Sequence, residues 1–281
     1  MTLTKGRKPE TIKPRRLKMM VSGKAGSGKT VGALGFPNLF FIDTEGGATE
    51  PEYTASLQKS GALYMGIDQG SQNAIDVIEA FRDLQVKQHD RLTVCVDSLT
   101  KWFNVQVAEA EERVGSDYGK DKKEALPWLR KLIRYMDLID MNVILICHSK
   151  IAYEDGERSG TTFDCWDKLE YELDMWLEVT REGNSHIATV RKSRVAAFPL
   201  GHRVDWNFDS LADIYGRADV VKQAKIINQG ELLQGLISKF SIDEDIVKKW
   251  TDAAGVEKVT ELNDEQTTKC IDWINASNVA A

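Results

Sequence analysis

The segment at residues 21–34, VSGKAGSGKTVGAL, restricts the possible folds of this chain more than any other feature. It contains the pattern G-x-x-x-x-G-K-[ST], with Gly23 and Gly28 as its glycines and Lys29 and Thr30 at its end. Glycines at this spacing let backbone N–H groups turn towards phosphate oxygens. The apolar run before the loop and the helical pattern after it are the context that such a loop requires. The sequence therefore predicts a strand, a phosphate-binding loop and a helix, in that order.

This loop predicts ATP and Mg²⁺ as cofactors. Lys29 would reach the β and γ phosphates, and the Thr30 hydroxyl would bind Mg²⁺. Asp97 ends the apolar run LTVCVD and would hold the same ion through water, although it could instead cap the segment that follows. We expect the nucleotide to contact the whole loop, which comprises Gly23, Lys24, Ala25, Gly26, Ser27, Gly28, Lys29 and Thr30.

Short apolar runs alternate with helical patterns through the first half of the chain, which predicts an α/β domain with a mostly parallel sheet. Helices are expected at residues 71–86, with Ser71 as the N-cap, and at residues 124–139, with Pro127 in the first turn. The strands are expected at residues 17–23, 39–43, 62–67, 92–98 and 142–149.

Polar residues at the ends of these strands should meet at one edge of the sheet, where ligands of such sheets bind. Ser22, Asp43, Asp97 and His148 are in this position. Glu45 follows the second strand and could orient or deprotonate an attacking water, but kinases of small molecules use the same position for substrate. His148 could contact the γ-phosphate or could simply form a hydrogen bond at a strand end.

The pattern changes after residue 150. Residues 151–165 are polar and are expected to form a mobile loop, and residues 174–193 should form two strands joined by a tight turn at Gly183 and Asn184. Another strand is expected at residues 203–209. Helices follow, with capping boxes at residues 241–244 and 263–266. We predict three parts: a basic arm at residues 1–16, a core at 17–218 and a helical C-terminal domain at 219–281.

Composition adds weaker constraints. The chain has 281 residues and a net charge of −6, which argues against a protein covered with nucleic acid. Residues 1–18 nevertheless hold seven basic residues against one acidic residue, so this arm is either solvated or binds phosphate. No apolar run is long enough for a membrane span, and no signal peptide is recognisable. We therefore expect a cytoplasmic protein without a membrane partner.

The motifs together resemble the ATPase core of RecA-like recombinases over about residues 17–209, and most closely the phage-encoded RecA-like ATPases grouped with single-strand annealing proteins. The segments that support this resemblance are the phosphate loop, FIDTE, VCVDS, LICHS and VRKSRVAAFP. The resemblance implies a RecA-like P-loop NTPase core with a mostly parallel central sheet, followed by a small all-helical C-terminal appendage.

The resemblance also implies roles for individual residues. Glu45 would be the catalytic glutamate, and Glu50 and Tyr53 would contact adenine. Lys192 and Arg194 would reach the ATP of a neighbouring subunit. His148 stands where RecA has glutamine, as a candidate phosphate sensor. The two DNA-binding loops of the family would correspond to residues 112–126 and 150–165, and the second of these is acidic rather than basic.

Three functions agree with these residues. The first is an ATPase, stimulated by single-stranded DNA, that forms a filament or ring and pairs or anneals strands. The second is a nucleotide-switched loader or mediator that brings a partner, such as a single-strand-binding protein, to DNA through its C-terminal helices. The third is a P-loop kinase acting on a small molecule.

Overall fold

The structure is a computed structural model that describes residues 16–277. The predicted basic arm lies outside the described residues except for Arg16, whose guanidinium forms a 3.0 Å ion pair with Asp140. None of the helices in residues 16–277 is both long and apolar enough to cross a membrane.

A single sheet of nine strands organises the described part of the chain. The strands are β1 (Lys18–Gly23), β2 (Leu39–Asp43), β3 (Leu63–Met65), β4 (Thr93–Asp97), β5 (Asn142–Glu154), β6 (Glu157–Asp164), β7 (Met175–Glu182), β8 (Ser185–Ser193) and β9 (Arg203–Asp205). Their order is β3-β2-β4-β5-β1-β7-β8-β9, and β6 pairs with β5. Strands β3, β2, β4, β5, β1 and β7 are parallel, whereas β6, β8 and β9 pair with their neighbours in antiparallel fashion. The predicted α/β class with a mostly parallel sheet is confirmed.

Eleven α-helices accompany the sheet within residues 16–277. They are α1 (Lys29–Leu34), α2 (Pro51–Lys59), α3 (Ala74–Val86), α4 (Leu99–Val114), α5 (Lys120–Leu138), α6 (Leu169–Glu172), α7 (Phe208–Tyr215), α8 (Arg217–Val220), α9 (Gln229–Phe240), α10 (Glu244–Ala254) and α11 (Asp264–Ala276).

Apolar residues cover both faces of the sheet, as expected of strands buried between two layers of helices. Val94 and Val96 of β4 join the cluster formed with α3, α4 and α5, whereas Cys95 joins the cluster on the opposite face with α1 and α7. This alternation follows from the two-residue period of a strand. Leu232 of α9 and Ile271 of α11 belong to the first cluster, so the C-terminal helices share apolar packing with the core helices. The predicted domain boundaries themselves stay predictions.

The N-cap of helix α3 lies two residues later than the sequence pattern suggested, at residue 73 instead of residue 71. Ser71 is not its N-cap, because the Ser71 hydroxyl donates a 2.5 Å hydrogen bond to the backbone carbonyl of Asp43. Asn73 caps the helix instead, and its side chain accepts from the N–H groups of Ile75 and Asp76. Residue type alone did not separate the two candidates, since the interaction of Ser71 is with a distant strand.

Helix α5 starts earlier than predicted, at Lys120, and Pro127 lies inside it rather than in its first turn. Proline removes one backbone hydrogen bond of a helix. Buried residues before and after Pro127, namely Ala125, Leu129 and Leu132, pack on the core and stabilise the helix across this position. The region expected to be the first DNA loop, residues 112–126, therefore consists of the end of α4, a 3₁₀ turn at Asp117–Gly119 and the start of α5.

The prediction of a mobile loop at residues 151–165 is wrong. β5 continues to Glu154 and returns as β6 through a tight turn in which Asp155 and Gly156 have φ values of 51° and 84°. Two adjacent residues with positive φ are typical of a two-residue hairpin turn. We call the hairpin formed by residues 150–164 the ribbon.

Two further boundaries differ from the predictions. The strand expected at residues 203–209 ends at Asp205, because Asn207 caps α7. The capping box expected at residues 241–244 does not form, since Ser241 ends α9 in the left-handed region at φ 50° and Asp243 caps α10. The box at residues 263–266 and the hairpin turn at Gly183 and Asn184 are confirmed.

Candidate nucleotide site

The phosphate loop connects β1 to α1 at the carboxyl edge of the parallel strands. Gly26 and Gly28 have φ values of 74° and 90°, a conformation that residues with a side chain rarely adopt. Gly28 is also restricted by space, because a Cβ atom there would lie 2.1 Å from Nδ1 of His186. The backbone of the loop therefore favours glycine at both positions, and the hairpin that covers the loop leaves no room for a side chain at Gly28.

Lys29 and Thr30 end the loop at the start of α1 and point into the same site. Lys29 Nζ donates to the carbonyl oxygens of Gly23 at 2.9 Å and Lys24 at 3.0 Å, which places its charge across the mouth of the loop. Thr30 Oγ1 donates to Asp97 Oδ2 at 2.5 Å. Burial lowers the pKa of Lys29, while the nearby carboxylates of Asp97 and Glu45 act against this shift.

Asp97 carries a buried and poorly compensated negative charge. Burial raises its pKa to about 6, and the carboxylates of Glu45 and Asp43 add to this effect. The Thr30 hydrogen bond and the charge of Lys29 oppose it. Hydroxyl and carboxylate oxygens are the ligands that Mg²⁺ prefers. Thr30 and Asp97 therefore fit the predicted magnesium site.

Glu45 lies beside this pair and is held by two donors. Its Oε1 accepts from Ser98 Oγ at 2.5 Å and from His148 Nε2 at 2.5 Å, and these two donor atoms lie 3.3 Å apart. The loop that carries Glu45 is shaped by buried Asp43, whose carboxylate accepts from the backbone N–H groups of Glu45 and Gly46. The structure thus brings Glu45 and His148 to the same site, in direct contact with each other.

Ser98 was not among the residues singled out from the sequence. It follows Asp97 directly in VCVDS, and a polar residue at the end of a predicted strand was the only available signal. His186 and Trp206 were also missed: His186 Nδ1 donates to the Ser27 carbonyl and Trp206 Nε1 donates to the Lys29 carbonyl, each at 2.9 Å. Both support the loop from later in the chain, where no local pattern marks them.

Glu50 and Tyr53 lie at the start of α2. Glu50 is exposed and occupies the N-cap position, while Tyr53 packs against the apolar cluster that α1 shares with β2. The predicted contacts of these two residues with adenine stay predictions.

Lys192 and Arg194 lie at the opposite edge of the sheet from the phosphate loop. Lys192 pairs with Trp176 of β7, which pairs with Met20 of β1. The backbone N–H of Arg194 donates to the carbonyl of Asp174. The loop begins after Gly23, about 10 Å further along β1 than Met20 at the usual rise of a strand. The structure therefore does not bring these two cations to the phosphate loop of the same chain.

Both cations contact backbone carbonyls in their own chain. Lys192 Nζ donates to the carbonyl of Leu173, and the guanidinium of Arg194 donates to the carbonyl of Tyr171. Burial lowers the pKa of Lys192, and the adjacent charge of Arg194 adds to this shift.

Comparison with known proteins agrees with the phosphate loop and the parallel sheet. A family model described as an AAA domain matches residues 15–198. The chain belongs to this AAA domain family. With the sheet described above, membership confirms the predicted fold class of a P-loop NTPase core. The chain is therefore a nucleotide-binding P-loop ATPase, and Mg²⁺ is the usual companion of the nucleotide in such proteins.

One solved structure similar to this chain is a RadB recombinase, at 18% sequence identity and a TM-score of 0.45. The match covers 67% of this chain and 86% of that chain. No curated protein matches the sequence.

Proposed function

We propose that this ATPase binds single-stranded DNA and acts in recombination, hydrolysing ATP at the interfaces of an oligomer. The observation that supports hydrolysis is the arrangement at the carboxyl edge of the sheet. Thr30 and Asp97 share a hydrogen bond there, Lys29 spans the loop, and Glu45 lies close enough to influence the pKa values of both Lys29 and Asp97.

In this proposal each side chain has one task. Lys29 holds the β and γ phosphates, and Thr30 and Asp97 hold Mg²⁺, which neutralises charge on those phosphates when bound. Glu45 accepts a proton from the water whose oxygen attacks the γ-phosphorus, as the bond from that phosphorus to the β–γ bridging oxygen breaks.

The ribbon supports binding of single-stranded DNA. It continues directly from His148, and Tyr153 on it has 64% of its surface exposed. Arg158 is the cross-strand partner of Tyr153, so an aromatic residue and a cationic residue stand opposite each other. Bases stack on exposed aromatic rings largely without regard to sequence. Because Asp155 and Glu157 lie close to Arg158 in sequence, we expect stacking to contribute more than charge.

The position of Lys192 and Arg194 supports hydrolysis between subunits. They lie at the amino edge of the strands, away from the loop of their own chain. In a head-to-tail assembly this edge of one subunit can meet the nucleotide edge of the next. The two cations would then stabilise the charge that develops on the γ-phosphate of the neighbour, as an arginine finger does.

The loader or mediator alternative rests on the C-terminal helices. Trp250 and Trp273 form an edge-to-face pair with ring centroids 5.4 Å apart, and Trp273 is 40% exposed. Aromatic residues are enriched at protein interfaces. A partner such as a single-strand-binding protein could dock there. Phage origin, annealing as opposed to strand exchange, and a cytoplasmic location stay predictions. The small-molecule kinase alternative is supported by the P-loop and by the position of Glu45, which such kinases use for substrate.

The decisive experiment measures ATP turnover with and without single-stranded DNA at low salt. We expect DNA to raise turnover. Lys29→Ala should lose nucleotide binding or turnover, whereas Glu45→Gln should bind ATP without hydrolysing it. Glu52→Gln, a change of an exposed glutamate in α2, is the matched control and should turn over ATP normally. If DNA changes neither turnover nor assembly, the recombination proposal is wrong and the loader and kinase alternatives gain support.

A further inference from the structure

We infer that Ser98 is a positioning residue for ATP hydrolysis, which acts by orienting Glu45 together with His148. The inference rests on the proposed role of Glu45 as the group that accepts the proton from water. It assigns a function to a serine that follows Asp97, the predicted magnesium ligand. Within residues 16–277, Ser98 forms no hydrogen bond with the phosphate loop.

Both donors bind the same oxygen of the Glu45 carboxylate. Ser98 Oγ and His148 Nε2 each lie 2.5 Å from Oε1, and no hydrogen bond to Oε2 is found within residues 16–277. One oxygen is therefore anchored while the other is left to accept a proton. A general base must lie within hydrogen-bond reach of that proton, so the orientation of this carboxylate affects the rate.

Ser98 is itself fixed in place. Its side chain is fully buried, and its Oγ accepts from the backbone N–H of Lys101 at 3.1 Å as the N-cap of α4. Its own N–H donates to Thr44 Oγ1 at 2.9 Å, and that hydroxyl donates back to the Ser98 carbonyl at 2.8 Å. Thr44 immediately precedes Glu45. The donor and the segment that carries the acceptor are thus tied together, which is what a rigidly oriented base requires.

His148 connects the same carboxylate to the ribbon. Its backbone N–H donates to Thr100 Oγ1 at 2.9 Å, and that hydroxyl donates to the Asp164 carbonyl at 2.5 Å. Residues 148 and 164 are cross-strand partners at the base of the ribbon. A ligand that moves the ribbon would therefore move His148, one of the two donors to Glu45, while Ser98, the other donor, stays in place.

The test is Ser98→Ala, measured as kcat and KM for ATP. We expect kcat to fall by about 10-fold to 10²-fold with KM nearly unchanged, because a misplaced catalytic group slows the chemical step without altering phosphate binding. Ser149→Ala is the matched control. Its Oγ is buried beside His148 without a hydrogen-bond partner within residues 16–277, so kcat should stay the same.

A mutant cycle separates positioning from a structural role. In a Glu45→Gln background, Ser98→Ala should leave the slow residual turnover unchanged, measured in long incubations at high protein concentration, since the carboxylate that it orients is already gone. An equal fall in both backgrounds, or no fall in the parent, would overturn the inference. If Glu45→Gln alone leaves kcat unchanged, the proposed role of Glu45 fails first and the inference fails with it.

His148 provides a second pair of variants, in case Ser98→Ala does not fold when checked by thermal melting. His148→Gln keeps an N–H donor and should retain most of kcat, whereas His148→Leu removes the donor and should lower kcat with KM unchanged. Equal rates for the two variants would contradict the shared-oxygen arrangement.

Discussion

At the scale of single residues, the identities that the backbone requires, and those predicted to bind phosphate, could be read from the sequence. Gly28 stands where the motif places a glycine, because its left-handed φ favours one, and Lys29 and Thr30 follow it at the positions that the motif assigns to phosphate and Mg²⁺. Ser98 and His186 could not be predicted in this way. Their partners, Glu45 and Ser27, are brought to them by pairing between strands that are far apart in the chain.

The buried charge of Asp97 leads to a prediction about stability. Asp97→Asn should raise the free energy of unfolding by about 1–3 kcal/mol near pH 8, because a carboxylate with a pKa of about 6 is ionised there against the preference of its buried site. The amide oxygen can still accept from Thr30. The change should raise Tm in thermal melts without Mg²⁺ or nucleotide, while ATP turnover is lost.

Asp43→Asn is the matched control for this prediction. The Asp43 carboxylate accepts from three backbone N–H groups, those of Glu45, Gly46 and Ala48, with both of its oxygens. An amide has one acceptor oxygen and cannot replace both, so Tm should fall. A fall in Tm for Asp97→Asn of the same size would show that burial does not disfavour the Asp97 charge.

At the scale of elements, patterns of apolar residues predicted the buried strands and helices, but they did not predict the ribbon. Strands β4 and β5 contain apolar runs between turn signals, which is typical of strands covered on both faces. Four of the eight residues of β6 are exposed and only Phe163 is buried, so no apolar alternation marks the ribbon. Gly, Ser and Thr in residues 156–162 suggested a loop. The structure shows that β5 continues past its buried part and pairs with β6, and this pairing extends the sheet into the ribbon.

The ribbon leads to a prediction about DNA. Tyr153→Ala should reduce the stimulation of ATP turnover by single-stranded DNA, with a loss of about 1–3 kcal/mol in DNA affinity if one base stacks on the ring. ATP turnover without DNA should be unaffected, because Tyr153 pairs with Arg158 near the turn of the ribbon, whereas His148 pairs with Asp164 at its base. Titration with a fluorescent oligonucleotide and ATPase assays measure the two effects.

Tyr153→Phe is the control variant here. It keeps the ring and removes the hydroxyl, so it should bind DNA nearly as well as the parent protein. If the Tyr153→Phe and Tyr153→Ala variants both bind DNA weakly, the hydroxyl or backbone contacts account for the affinity rather than stacking. If Tyr153→Ala binds DNA as well as the parent protein, Tyr153 is not part of the DNA site.

At the scale of the whole molecule, the sequence predicted a parallel sheet with its ligands at one edge, and strand pairing creates a second edge with its own charges. Lys192 and Arg194 lie at that amino edge because β8 returns antiparallel along β7. The family resemblance suggested their role, but the edge on which they lie depends on this pairing between strands. The larger apolar cluster likewise includes C-terminal helices whose packing partners no local pattern marks.

The position of these two cations leads to the last prediction, which concerns assembly. If they complete the site of a neighbouring subunit, turnover per subunit should rise steeply with protein concentration, because a lone monomer lacks the finished site. Lys192→Ala/Arg194→Ala should be inactive for the same reason, and the usual gain from such a finger is on the order of 10³–10⁵ in rate. ATPase assays across a dilution series, with assembly followed by light scattering, measure both effects.

Mixing two inactive variants tests the arrangement directly. Lys29→Ala keeps the cations but lacks the phosphate contact, and Lys192→Ala/Arg194→Ala keeps the loop but lacks the cations. In a randomly mixed head-to-tail assembly of equal amounts, about a quarter of the interfaces join an intact loop to intact cations, so part of the activity should return. Each variant alone, at the same total concentration, is the control. If the variants assemble together and the mixture is no more active than either alone, Lys192 and Arg194 do not act between subunits, and their contacts with the carbonyls of Leu173 and Tyr171 are structural.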